Sequence, residues 1–241
     1  ALVAAMAANA GHLLPCYSVG FGEEFAECEL NNANHTANVL GLDFNAVLVS
    51  PDDLLNSFVS IARTIEEPLG TTSILPMWSL VHAAQKDVSV VLTGQGTDEP
   101  WGGYNKYQVE IVRKYLNSTG FWTVMKAISP SLLFRHESFR RAIYSLAAND
   151  VASQVIHASS LFSERDRFKL CGTINSGHLN ETLAFWCNWA KDGKLTQAEL
   201  MMQVDSRMSL ADDLLLYADK LSMHVSLETR VPMLDVELVE F

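Results

Sequence analysis

The sequence predicts an α/β protein: a parallel sheet wrapped by helices over the first part of the chain, followed by a largely helical remainder. Three observations carry that prediction. Short apolar, β-branched runs (CYSVGF, NAVLVS and VSVVLT) alternate with helix-length segments up to Tyr104, the pattern of strands buried on both faces of a sheet. After Asn105 such runs stop and stripes at helical spacing take over, as in Phe139, Ile143, Leu146 and in Leu200, Val204, Met208. The third apolar run breaks into TGQGTDEPWGGY, Thr93–Tyr104, at a strand's carboxyl end, where open parallel sheets bind their ligands.

Taken in order, ALVAAMAANAG predicts a helix with Leu2, Val3 and Met6 on one face and Gly11 as its stop. Cys16–Phe21 is the first strand candidate, a helix from Glu23 to Leu40 closes at Gly41, and Asn45–Ser50 is the second strand. Ser50-Pro51-Asp52-Asp53 is a helix start, with a capping hydroxyl, proline in the first turn and acids where the helix dipole favours them. Leu54, Leu55, Phe58, Ile61 and Ile65 form its expected inner stripe. A further helix spans Ile74–Ala84, and Val88–Thr93 is the third strand. Ser209-x-x-Asp212 is expected to cap a last apolar helix reaching about Met223. The division expected is an α/β nucleotide-binding part over about residues 1–110 and a helical part over about 111–241, within one domain spanning 1–241.

Composition narrows the function classes. The 241 residues are 49% hydrophobic, ample for a core, and carry a net charge of −11. No Lys/Arg run builds the basic stripe that a phosphate backbone requires, so nucleic-acid binding is not expected, and an acidic surface repels anionic membranes. Cys16, Cys28, Cys171 and Cys187 lack zinc-type spacing and read as reduced core thiols, which points to the cytoplasm. The opening segment has neither the basic flank of a signal peptide nor the length of a membrane span; a chain that opens inside a helix reads as a fragment of a longer protein. The histidines form no H-E-x-x-H pair and there is no G-x-S-x-G elbow. The tryptophans, including Trp78, Trp122, Trp186 and Trp189, read as packing residues, with Trp101 placed where it could line a pocket.

Two segments carry chemistry. In TGQGTDEPWGGY, Gly94 and Gly96 leave backbone amides free to approach an anion, while Asp98 and Glu99 are suited to a divalent cation. An ordinary strand-to-helix turn with solvated acids accounts for the same residues, and the loop matches neither a P-loop nor a dinucleotide fingerprint. In DKLSMHVSLETRVPMLD, Asp219–Asp235, Lys220 is a point cation near a helix end, suited to a phosphate-rich ligand. An ion-paired turn before Pro232 is the alternative.

In this order the two segments resemble the synthetase domain of the glutamine-dependent asparagine synthetase family. TGQGTDEPWGGY is similar to its S-G-E/D-G-x-D-E-x-x-G-G-Y, and DKLSMHVSLETRVPMLD to its [ND]-[KR]-x-x-M-x-x-S-x-E-x-R-V-P-F-L-D. CYSVGF and EEPLGTTSILP add matches to its S-V/I-G-F strand and its D-E-P segment, so the resemblance covers nearly the whole chain. It implies a PP-loop ATP pyrophosphatase fold, of the adenine nucleotide alpha hydrolase type, with ATP and Mg2+ as cofactors. A substrate carboxylate attacks the α-phosphate and displaces pyrophosphate; an amine, ammonia from glutamine in the asparagine enzymes, then displaces AMP and leaves an amide. By position, Val19 and Gly20 would lie near adenine and ribose, Gly94 and Gly96 would offer backbone to the nucleotide, Asp98 would bind magnesium-pyrophosphate, and Lys220 would meet the phosphates. Glu228, with Arg230, would organise the site. The partners implied are a small-molecule carboxylate and the glutaminase domain of the parent chain, with a homodimer as a further option.

Three departures accompany the resemblance. The family's S-G-G-x-D-S loop belongs immediately before a helix like ALVAAMAANAG, and the glutaminase domain with its nucleophilic cysteine belongs before that; neither is in this sequence. The isolated 241 residues are therefore expected to turn over little or nothing. The third departure is Gln95, where asparagine-forming members carry an acid; an amide cannot act as a general base near neutral pH. The alternatives are a β-lactam-synthetase-like or peptide-macrocyclase-like amide ligase, or a nucleotide-binding protein impaired in catalysis.

Overall fold

The computed structural model of the protein describes residues 1–22, 25, 28–68, 70–108, 110, 141, 144, 145, 148, 150–160, 162, 164–172, 177–190 and 195–240. The chain divides into two compact units, residues 1–97 with 210–241, and residues 98–209.

The first unit is α/β. Helix α1 (Leu2–Asn9) leads to strand β1 (Cys16–Gly20), α2 (Leu30–Leu40), β2 (Phe44–Leu48), α3 (Pro51–Ile65), α4 (Ile74–Ala84) and β3 (Val90–Leu92). Its strands are parallel, as the alternation predicts, but they form two small sheets: β1 pairs with β2, Cys16 opposite Phe44, and β3 pairs with β4 (Glu228–Arg230), Val90 opposite Glu228. β4 comes from the far end of the sequence, so it appears in no local pattern. The expectation of fully buried strands is corrected here. Leu48, Val90 and Leu92 are exposed; side chains alternate across a strand, so Val90 and Leu92 share an open face while Val91 between them is half-buried.

Local chemistry sets the helix ends. Ser50 caps α3 in a reciprocal box: its Oγ accepts from the Asp53 N–H at 3.2 Å, and Asp53 Oδ2 accepts from the Ser50 N–H at 3.0 Å. Those bonds hold the Asp53 carboxyl below its ordinary value. A group whose folded-state pKa is depressed contributes above its unfolded value, near pH 4, and loses that contribution as pH falls through the folded value. Ser50→Ala is expected to cost about 1 kcal/mol of stability at neutral pH and to flatten the acid limb of the stability curve, read by thermal melts between pH 2 and 7. α2 begins at Leu30, later than the predicted Glu23, and ends at Gly41 in the left-handed conformation, φ 66°; residues 23, 24, 26 and 27 of the predicted span lie outside the described residues.

The core of this unit joins Ile61 and Ile65 of α3, Val81 and Ala84 of α4, Leu227, and Tyr217, Ala218 and Leu221 of a late helix, α10 (Leu215–His224). Leu55 and Phe58, expected on the inner stripe, are exposed: the buried face follows Leu54, Ile61 and Ile65 instead. Trp78 packs in the same unit against the rings of His82 and His224, centroids 4.2 and 5.1 Å apart.

The second unit contains α5 (Asp98–Trp101), α6 (Val151–Ser159), α7 (Glu164–Cys171), α8 (Gly177–Ala190) and α9 (Gln197–Asp205). Its core joins Tyr107, Val155, Leu183, Cys187, Met201 and Val204. The stripe Leu200, Val204, Met208 is inward as predicted; the stripe at 139, 143 and 146 and Trp122 lie outside the described residues. Arg207 lies over the rings of Trp186 and Trp189, 5.7 and 5.3 Å from their centroids. Ser209 caps nothing. The helix that starts at Thr196 runs through α9 into a π-helical stretch, Ser206–Leu214, and on into α10, because Leu210 is drawn into the interior and packing overrides the local capping signal. None of the four cysteines is in a disulfide, but only Cys187 is a core thiol; Cys16 and Cys28 are half-buried and Cys171 is exposed. Among the described residues, no helix is long and apolar enough to cross a membrane.

Candidate active site

The loop after β3 is fixed by its backbone. The Thr93 N–H donates to the Arg230 carbonyl at 2.9 Å, continuing the ladder one step past the strand. Thr97 Oγ1 then donates to the Gly94 carbonyl at 3.2 Å, turning the chain back. The two glycines between them have different reasons to be glycine. Gly96 has φ +80°, and a Cβ there would lie 2.7 Å from Leu234 Cδ1 and 2.9 Å from Leu210 Cδ1. Gly94 has no such strain, and a Cβ there would meet nothing within 4 Å. It borders a cavity of about 560 Å³ lined also by Ala4 of α1, Tyr17 and Ser18 of β1, Met77 of α4 and Val91 of β3. Residues of both β1 and β3 line this space, and among the described residues each of the two strands has one unpaired edge. At its rim Tyr17 donates to Asp87 Oδ2 at 2.8 Å, and burial together with that carboxylate pushes the phenol up to about 12.

Gln95 turns from the loop towards α10. Its Nε2 donates to the Leu214 carbonyl at 3.2 Å and lies 3.1 Å from the Tyr217 hydroxyl. Lys220 stands on the same helix, but its amine points to the end of α3, donating to the Ile65 carbonyl at 2.6 Å and pairing with Glu67 at 3.0 Å. Glu67 belongs to the EEP segment, just past Glu66, which ends α3 with φ 60°. Glu228 and Arg230 form an exposed ion pair with each other along β4, while their backbones join the ladder to Ser89 and Thr93. Val19 lies in the β1–β2 ladder opposite Val47. Gly20 is glycine for a packing reason, since a Cβ there would lie 2.5 Å from Leu30 Cδ1 and 2.7 Å from Cys28 Sγ.

Within the second unit, Asp98 opens α5 and its carboxylate folds over Gly103, where any Cβ would collide with Asp98 Oδ1. The next residue, Glu99, is buried and accepts from the Tyr104 hydroxyl at 2.7 Å. Beside them Asp205, also buried, accepts from the Tyr107 hydroxyl at 2.7 Å and pairs with Lys106 at 2.8 Å. Burial and the two carboxylates raise both phenols, so Tyr104 and Tyr107 remain donors throughout the physiological range. The motif residues D-E and G-G-Y thus brace one another, which explains their shared presence in one short segment.

Sequence reasoning missed Tyr217, Glu67 and the Asp205–Lys106–Tyr107 network. The first two have only their distance in sequence to hide them, and Asp205 reads as one more acid on an amphipathic helix. Among the described residues no group of three or more ligating side chains converges. Asp98 has the chemistry magnesium uses, since this ion is commonly held by one or two carboxylates with phosphate oxygens completing its shell.

The first unit is a parallel α/β unit with a cavity running along β3 from Val88 to Gly94, and folds of this class bind ligands at strand ends. The chain belongs to the asparagine synthase family, whose model matches residues 1–241. It is 28% identical over 231 residues to asparagine synthetase [glutamine-hydrolyzing] 1 of Bacillus subtilis, covering 92% of this chain and 35% of that protein. It is 27% identical over 248 residues to a putative asparagine synthetase [glutamine-hydrolyzing] of Mycobacterium tuberculosis, covering 98% of this chain and 36% of that protein. A shorter match, 31% over 107 residues, joins 42% of this chain to 16% of the amidase chry2 of Gibberella zeae. The chain therefore spans about a third of the length of the two synthetases. No solved structure gives a significant match.

Proposed function

We propose that this chain is the synthetase part of an ATP-dependent, AMP-forming carboxylate–amine ligase of the asparagine synthetase type, built on a PP-loop pyrophosphatase fold and working in the cytoplasm with a glutaminase domain of the same parent polypeptide. The observation that carries this reading is Gly94: a glycine at the end of a parallel strand that neither backbone strain nor packing requires, beside an open cavity. Magnesium-bound ATP supplies an electrophilic α-phosphorus and a pyrophosphate leaving group.

The chain's own residues divide the remaining work. Gly94 and Gly96 bring backbone close to the nucleotide, and Val19 and Gly20 end β1 on the adenosine side. Asp98 offers its carboxylate to the metal. Lys220 carries the positive charge that offsets the leaving pyrophosphate, exchanging Glu67 for phosphate oxygens. Glu228 and Arg230 keep β4 in register beside β3.

The test is ATP–pyrophosphate exchange by the full polypeptide with a panel of carboxylates, aspartate among them. Exchange dependent on one carboxylate and on magnesium is the expected result. A full polypeptide that binds ATP yet exchanges no pyrophosphate with any of them would refute the reading.

A further inference from the structure

We propose that Gln95 is a positioning residue: its side-chain amide fixes the start of α10, and through that helix the place of Lys220, while taking no part in proton transfer from the attacking amine. The assignment of its two ends is forced by chemistry. The Leu214 carbonyl can only accept, so the group 3.2 Å from it must be the amide nitrogen. The same nitrogen lies 3.1 Å from the Tyr217 hydroxyl oxygen, so both of its hydrogens have protein acceptors within reach. Gln95 is thereby turned towards α10 and spends its donors there.

The position it holds is a change of helical register. Leu214 ends the π-helical stretch and Leu215 begins α10, so the Gln95 amide ties the strand-end loop to the helix where one hydrogen-bond pattern gives way to another. The anchor at the other end is firm. Gln95 N–H donates to Thr93 Oγ1 at 3.3 Å, and Gly96 beside it is wedged between Leu210 and Leu234. From the junction the connection runs through Tyr217, buried in the core with Ile65, and through Lys220, whose amine holds the Ile65 carbonyl. A carboxylate at position 95 would set an oxygen against the Leu214 carbonyl oxygen and lose that hydrogen bond. The neutral amide is thus matched to this junction, and an acid is not.

The activity arm of the test rests on the ligase reading; the exchange arm does not. In the full polypeptide, Gln95→Met keeps side-chain length without a donor, and Gln95→Glu keeps the shape with acceptors only. Both are expected to speed hydrogen exchange of the 215–218 amides about tenfold, the cost of one missing buried hydrogen bond. Both are also expected to raise the KM for ATP in pyrophosphate exchange more than they lower kcat. Unchanged exchange at those amides in both variants would overturn the proposal. So would a Gln95→Glu protein that keeps the wild-type KM or gains ammonia-dependent amide synthesis, since position 95 would then face the substrate. If the unaltered polypeptide shows no pyrophosphate exchange, the ligase reading fails and the hydrogen-exchange result still decides the role of Gln95.

Discussion

Lys220→Met in the full polypeptide is expected to slow ATP–pyrophosphate exchange by about 10²–10³-fold, the usual loss when one preorganised charge or donor is removed from a reacting centre. The structural loss is far smaller. The Ile65 carbonyl gives up one donor, worth about 1 kcal/mol, and Glu67 is half-exposed, so its ion pair contributes little. A melt close to wild type beside a collapse in exchange therefore separates a phosphate-binding role from a role in packing. Glu67→Gln is the complementary change. Removing the resting counter-ion frees the amine, and the KM for ATP is expected to hold or fall. Equal damage from Lys220→Met and Glu67→Gln would instead show that the pair serves the fold.

Gly96→Ala is expected to destabilise the protein by about 3 kcal/mol, and Gly94→Ala by less than about 0.5 kcal/mol. At Gly96 two effects add. An L-residue is strained at φ +80°, and its methyl would meet Leu234 and Leu210 at 2.7 and 2.9 Å. Both contacts are methyl ends of leucine side chains, which limits the cost by letting them shift. At Gly94 neither effect operates, so the new methyl simply projects into free space. If that space receives the nucleotide, Gly94→Ala raises the KM for ATP without changing the melt. Chemical denaturation of the two variants, paired with exchange kinetics, checks both statements. A Gly94→Ala protein with wild-type kinetics would exclude this glycine from the ligand's path.

Features set by neighbouring residues were legible in the sequence. The start of α3 follows from Ser50, Pro51 and Asp53 alone, and α4 occupies Ile74–Ala84 as its pattern predicts. The turn after β3 was legible too, because glycines that break an apolar run mark the end of a strand. What escaped depends on distant partners. Gln95 meets Leu214 and Tyr217 across 119 and 122 residues, and Lys220 meets Glu67 across 153; nothing in either residue's own segment announces the other. The π-helical stretch escaped for a related reason. Ser209 and Asp212 form a good local cap, yet helix already formed upstream from Thr196 passes through them.

Among the described residues β1 and β3 each have one unpaired edge, which bears on how the isolated chain behaves. An unpaired strand edge is a template for any extended chain, and Val88–Leu92 joins β-branched and apolar side chains with neither a charge nor a proline to deter pairing. Val90 and Leu92 stand exposed there. The strand that lines the cavity is therefore also a place where the isolated chain is open to self-association.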